Sequence, residues 1–229
     1  MFIFSNRIFI LLLISSTFSS TQQQQQQQSQ NDNMCLMNDG ILCIPDELKI
    51  MTTIAKGIRQ TLLKIEQQIK QTKTIDQLNH DVNIEMNNNH FNLPLSIHHE
   101  KLSRHSNIHK GYFINLLLEG HDALVYYYNS IDDLLQLKGT IGEDIDKQFE
   151  KIQSNMRSEM ICRYQNILNI YSQKWKSANE INDRIKFSKM RRLSPSKIHD
   201  IRSVVIIRYL RDWIEDIIDA LTNVETKLV

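Results

Sequence analysis

The stretch 194–227, SPSKIHDIRSVVIIRYLRDWIEDIIDALTNVETK, reads as one long helix and decides the fold class. Ser194–Pro195 is a cap followed by a first-turn proline, whose missing N–H would have had no helical partner at that position. Val204, Ile207, Leu210, Ile214, Ile217, Leu221 and Val224 then recur at the spacing of a helix face, not at the alternation of a strand. Val205, Tyr209 and Trp213 widen that face, which suits a helix packed against two neighbours. Arg208, Asp212, Glu215, Asp216 and Asp219 fall on the outer side.

Three earlier segments carry the same signal. Segment A, Asp46 to Lys73, places Met51, Ile54, Ile58, Leu62, Ile65 and Ile69 on one face. Pro45 precedes it, and Asp46 and Glu47 set negative charge at the positive end of the helix dipole. Segment B, Tyr112 to Lys138, carries Phe113, Leu117, Gly120, Leu124, Tyr127, Ile131 and Leu134. Gly120 on that stripe predicts a close helix approach, at a cost in helix propensity. Segment C, Gly142 to Lys176, carries Ile145, Phe149, Ile152, Met156, Met160, Tyr164, Ile167 and Tyr171. Each buried Leu or Ile contributes about 1.5–3 kcal/mol, so these stripes supply a core without a cofactor. With six glycines and three prolines in 229 residues, a turn-rich β fold is disfavoured. The fold class is all-α.

Linker lengths then restrict the topology. Gly139–Thr140–Ile141 is too short to run back along a helix, so segment C must fold down beside B. Thr74–Gly111 and Ser177–Ser194 are each long enough to travel a helix length. Long, short, long linkers suit an up-up-down-down long-chain four-helix bundle, although an up-down-up-down bundle is not excluded.

Residues 1–20 read as a signal peptide: Arg7, a short apolar run from Ile8 to Ile14, and the small residues Ser15 to Ser20. The run falls short of the roughly 20 residues that a spanning helix needs. Secretion to the extracellular space is expected, without membrane insertion after cleavage. Residues 21–44, with the run Gln22–Gln28, read as a disordered arm, and 45–229 as the bundle. The formal net charge of +1 offers no basis for nucleic-acid binding.

Cys35, Cys43 and Cys162 are an odd count for a secreted chain. Cys35–Cys43 would close a small loop. A bond through Cys162 would staple the arm to segment C, which the proposed topology brings within reach. Cys162 as a buried free thiol is the third reading, and the pairing stays open. Of the eight histidines, His90, His98, His99, His105 and His109 crowd the A–B linker. His105 and His109 are four apart, yet nothing completes a metal-ligand set, so solvated loop histidines and no metal are expected. The basic run Arg184, Lys186, Lys189, Arg191 and Arg192 reads as a solvated loop that could meet acidic glycosaminoglycans or be cut by a protease. No phosphate-binding glycine loop, His-Glu-x-x-His or nucleophile elbow occurs, and Asp132–Asp133 lies on a helix surface. The chain is not expected to be an enzyme, and no cofactor is expected.

Phe91–Asn92–Leu93–Pro94, the run Tyr112 to Gly120, Tyr126–Tyr127–Tyr128 and the run Val205 to Ile214 together resemble the interleukin-6 family of long-chain helical cytokines. An N-terminal cysteine with Cys162 in the third helix is similar to its leukaemia inhibitory factor and oncostatin M members. The resemblance covers the layout of the mature chain and is faint in sequence. It implies a secreted signal that binds and clusters class I cytokine receptor chains, so activating receptor-associated kinases. A Phe-x-x-Lys motif near the start of the family's fourth helix is replaced here by Ile198–His199–Asp200–Ile201–Arg202, with Phe187 lying earlier. From helical phase, Lys49, Lys56, Gln60 and Gln67 face outward on A, and Lys147, Lys151 and Ser158 on C. The candidate receptor contacts are Lys56, Gln60 and Leu63, Lys151 and Ser158, and Arg208, Asp212, Glu215 and Asp219. The alternative is a secreted helical carrier enclosing a lipid or other small apolar ligand.

Overall fold

A computed structural model describes residues 43–71, 75–88, 91–137, 143–171, 176, 180–188 and 193–227. The expected leader, most of the glutamine-rich arm, Cys35 and the B–C linker lie outside these residues. Segment A forms α1, Ile44–Gln71, with Pro45, Asp46 and Glu47 in its first turn. Its buried face is Leu48, Met51, Ala55, Ile58, Leu62, Ile65 and Ile69, while Ile54 is only partly buried.

The A–B crossover, expected as a connection long enough to travel a helix length, is itself partly helical. It contains α2, Ile75–Asn88, and the short α3, Ile97–Lys101, continued by a 3-10 turn, Leu102–Arg104. Only Leu78, Val82 and the half-buried Met86 give α2 an apolar stripe, and its remaining positions are rich in asparagine. Such a helix is weak alone; packing on the fourth long helix supplies what propensity lacks.

Segment B forms α4, Lys110–Leu135, whose first turn is capped by His109, its Nδ1 accepting from the Tyr112 N–H at 3.1 Å. Segment C is helical in three parts: α5, Glu143–Asn155, a π-helical stretch, Met156–Ile161, and α6, Cys162–Tyr171. The π stretch follows from the spacing of the core residues. Ile152, Met156, Met160 and Tyr164 stand at successive gaps of four, and each such gap overshoots a 3.6-residue turn by about 40°. A wider i→i+5 turn advances less per residue and returns Tyr164 and Ile167 to the buried face.

Segment D forms α7, Pro195–Lys227, with the boundaries its cap predicts. Val204, Val205, Ile206 and Ile207 are all buried, because α7 is covered by α1, α2, α3 and α4, more neighbours than its width suggests. Side-chain pairs fix relative directions. Arg59 meets Glu215 and Glu66 meets Arg211, so numbers fall along α7 as they rise along α1. At the head of α4 the Ile108 N–H donates to the Lys227 carbonyl at 2.7 Å, and farther along Tyr126 lies near Tyr209. Gln68 with Gln148, and Glu47 with Arg163, oppose α1 to the α5–α6 rod. Gln165 with His121, and Gln153 with the Tyr128 carbonyl, do the same for α4. The stripes meet in one core around Phe113, Tyr127, Phe149 and Tyr164. No strand occurs among the described residues, and none of their helices is long and apolar enough to cross a membrane.

Candidate functional site

Helical phase places the outer faces of the first and third rods as expected. Lys49, Lys56, Gln60 and Gln67 are exposed on α1, as are Lys147, Lys151 and Ser158 on the α5–π rod. The Ser158 hydroxyl donates to the Ser154 carbonyl at 2.8 Å. Leu63 is 42% exposed, a large apolar side chain turned to solvent. The sequence reading missed a stronger case: Leu95, 69% exposed beside the exposed Ile97 at the start of α3. Its signal was Leu95 directly after Leu93–Pro94, where only Phe91 and Leu93 pack on the core.

On α7 the candidate residues divide. Asp212, Glu215 and Asp219 are exposed, and Glu215 pairs with Arg59 at 3.1 Å. Arg208 is half-buried and internally engaged. It reaches Glu66 at 3.5 Å, Asn79 Oδ1 at 2.9 Å and Asn83 Oδ1 at 3.3 Å, holding α2 against α1 and α7. Glu66, 6% exposed, also takes Lys70 at 2.8 Å and Arg211 at 3.1 Å. Burial alone would raise its carboxyl, but the Lys70 hydrogen bond and the surrounding cations outweigh it and hold the pKa below the usual value.

Two of the crossover histidines, His98 and His99, are held rather than solvated, whereas His105 and His109 are exposed as expected and His90 lies outside the described residues. Glu119 on α4 accepts from the His98 Nδ1 at 2.6 Å, the His99 Nδ1 at 3.1 Å and the His98 backbone N–H at 2.8 Å. This clasp seats α3 against α4. Burial raises the Glu119 carboxyl, and the hydrogen bonds from His99 and His98 more than reverse that, leaving it lowered. His105 and His109 do not share a helical turn: one leaves the 3-10 turn and the other caps α4. Among the described residues no three His, Cys, Asp or Glu side chains are gathered to hold a metal ion.

Beside the clasp, the C-terminal half of α7 and the crossover enclose an open cleft of about 420 Å³. His99, Glu100, Asp216, Asp219, Asn223 and Lys227 line it. The Asp216 carboxyl is raised, first by burial, with Glu100, Asp212 and Asp219 adding repulsion that His99 only partly offsets. A second cleft of about 300 Å³ lies over Leu134 and Ile185. There the apolar residues of the C–D crossover pack down, Ile185 buried and Phe187 half-buried, while the basic Arg184 is exposed as expected of a solvated loop. Arg184 pairs with Asp133 at 2.8 Å, the buried Ile185 donates its N–H to Ser130 Oγ at 3.0 Å, and Phe187 meets Phe91 edge-on. Arg202 stacks over the Phe187 ring at 5.0 Å, so an aromatic and a cation far apart in sequence meet near the start of α7. Lys186 is exposed, and 189–192 lie outside the described residues.

Cys43 is exposed and free, so the Cys35–Cys43 loop is not formed. Cys162 is buried and disulfide-bonded, which removes the free-thiol reading, although no pair is complete among the described residues. Comparison with protein-family models, with curated proteins and with solved structures found no match to this chain.

Proposed function

We propose that this chain is a secreted helical cytokine of the interleukin-6 type, an up-up-down-down four-helix bundle that binds and clusters class I cytokine receptor chains. The observation that carries the reading is directional. Both α1 and α4 oppose α7 in residue numbering, both oppose the α5–α6 rod, and a packed crossover containing α2 and α3 separates α1 from α4. Two like-directed helices before two reversed ones require long first and third connections, which the sequence provides. The reading also draws on the signal-peptide pattern of residues 1–20 and on solvent-facing Lys56, Gln60 and Leu63 on one rod with Lys151 and Ser158 on another. Asp212, Glu215 and Asp219 add an acidic edge on α7, with Leu95 as an apolar anchor beside the crossover. Arg208 belongs to the scaffold in this reading rather than to the contact surface.

The leader-free protein should elicit a saturable phosphorylation of receptor-associated kinases in cells bearing the family's shared signal-transducing chain. Lys56→Glu combined with Lys151→Glu should weaken that response at least tenfold while leaving the urea midpoint in place, since both side chains are exposed. No response at saturating dose would remove the reading. The carrier alternative has less support, because the apolar stripes pack on one another and both clefts described above are lined by charged side chains.

A further inference from the structure

The cleft between α7 and the crossover is acidic, and among the described residues no lysine or arginine pairs with its carboxylates. Among the described residues neither Asp216 nor Asp219 carries a salt bridge, and Glu100 meets only the Ser96 hydroxyl, at 2.6 Å. Lys227 also lines the cleft, but its ammonium donates to the His105 carbonyl. Three uncompensated carboxylates are not a site by themselves; they are commonly a solvated helix face.

The second observation concerns His99. Its side chain is 1% exposed, and its Nδ1 is turned to Glu119 at 3.1 Å. In the ring's neutral form, with the Nδ1 proton donated to that carboxylate, Nε2 presents a lone pair. That atom is buried without a hydrogen-bond partner, on a ring that lines the cleft. An acceptor left bare at such a depth costs about 1–3 kcal/mol, so it marks a place where a donor is missing. Acidic acceptors around a bare imidazole acceptor call for a ligand that is both cationic and rich in N–H donors. A guanidinium meets both needs, with five N–H donors in a planar fork that can serve a carboxylate pair and a third acceptor together. A bare metal ion fits less well, because the donor groups are not gathered around one point.

We propose that this cleft receives an arginine side chain of a partner protein, which on the reading above is a receptor chain, with Asp216 and Asp219 taking the guanidinium and His99 Nε2 accepting one of its N–H groups. The partner's identity as a receptor rests on that reading; the chemistry of the cleft does not. Trp213 reports on it directly, since its ring packs edge-on against His99 at 5.2 Å.

The test uses the mature full chain with Trp175→Phe, leaving Trp213 as the remaining tryptophan of the two. A blocked Gly-Arg-Gly peptide should change Trp213 emission saturably, and the citrulline counterpart, which has the same shape without the charge, should bind at least tenfold more weakly. Asp216→Asn with Asp219→Asn should lose at least tenfold in affinity for the arginine peptide. That variant is expected to fold, because burial and like-charged neighbours already disfavour the ionised Asp216 carboxylate. Equal binding of the arginine and citrulline peptides, unchanged affinity in the double variant, or saturation by zinc or calcium alone with no response to the arginine peptide would each overturn the proposal. A kinase response that survives such a failure would leave the cytokine reading standing without this cleft.

Discussion

At Gly120 α4 lies close against Tyr164 of α6. A Cβ built there would lie 2.7 Å from the Tyr164 Oη and 2.9 Å from its Cζ. Tyr164 is fully buried, and its phenol is pushed well above its usual pKa by burial alone, so the ring has little room to retreat. Gly120→Ala therefore sets two effects against each other. Helix propensity gains about 0.8–1 kcal/mol, and overpacking typically costs about 1–3 kcal/mol. The clash should win by about 1 kcal/mol in a urea titration, and Tyr164→Phe in the same chain should recover part of the loss. A stabilised Gly120→Ala would show that the approach is looser than these distances. The glycine was legible in the sequence as an interruption of an apolar stripe; its partner was not, because no pattern in segment B names the residue opposite.

The elements depend on two carboxylates, the buried Glu66 under α2 and the half-buried Glu119 under α3. Both have lowered folded pKa values, so each stabilises the fold fully above the ordinary carboxylate pKa and ceases to do so as pH falls through the lowered one. His199 acts in the same direction: burial lowers its pKa, so its contribution is present above about 6.5 and fades as acid protonates it. Asp212 and Asp216, both raised, oppose this trend and contribute most in acid. Hydrogen exchange should localise the first loss. The His98 and His99 amides donate to Glu119, so their protection should fall below a pH of about 4.5, the carboxyl's reference value, while α7 core amides stay slow. Glu119→Gln should lower that protection at neutral pH and remove its acid step. Protection unchanged down to pH 3 would mean that α3 is held by other contacts, such as His99 against Trp213. Neither clasp could be found from composition, since Glu119 lies far from His98 and His99 in sequence and Glu66 occupies a position that helical phase alone leaves near the edge of the stripe.

For the molecule as a whole, the remaining question of connectivity is covalent. Cys43 is free, Cys162 is disulfide-bonded, and the chain has one other cysteine, Cys35. Alkylation of the folded protein without reduction should mark Cys43 and spare Cys162, which should react only after reduction. Breaking the bond at Cys162 should cost about 2–4 kcal/mol, the usual scale for a disulfide. Recovery of a Cys35–Cys43 peptide would contradict this arrangement. An exposed thiol at Cys43 also gives the chain a route to covalent pairing with a second copy.

The sequence by itself determined the helices, their apolar faces and which connections were long. Those are local matters: periodicity at 3.6 residues, a Ser-Pro cap and the count of residues between stripes act within one segment. It also determined the exposure of Lys56, Gln60, Lys151 and Ser158, because helical phase that buries one face exposes the other. Only the tertiary structure decided that Asn-rich 75–88 is a helix, that Arg208 is clamped rather than free, and that His98 and His99 are held instead of solvated. Each of those outcomes depends on a partner distant in the chain, supplied by burial against α7 or α4. Burial raises the cost of an unmet polar group and so selects its partner, which is information that no single segment contains.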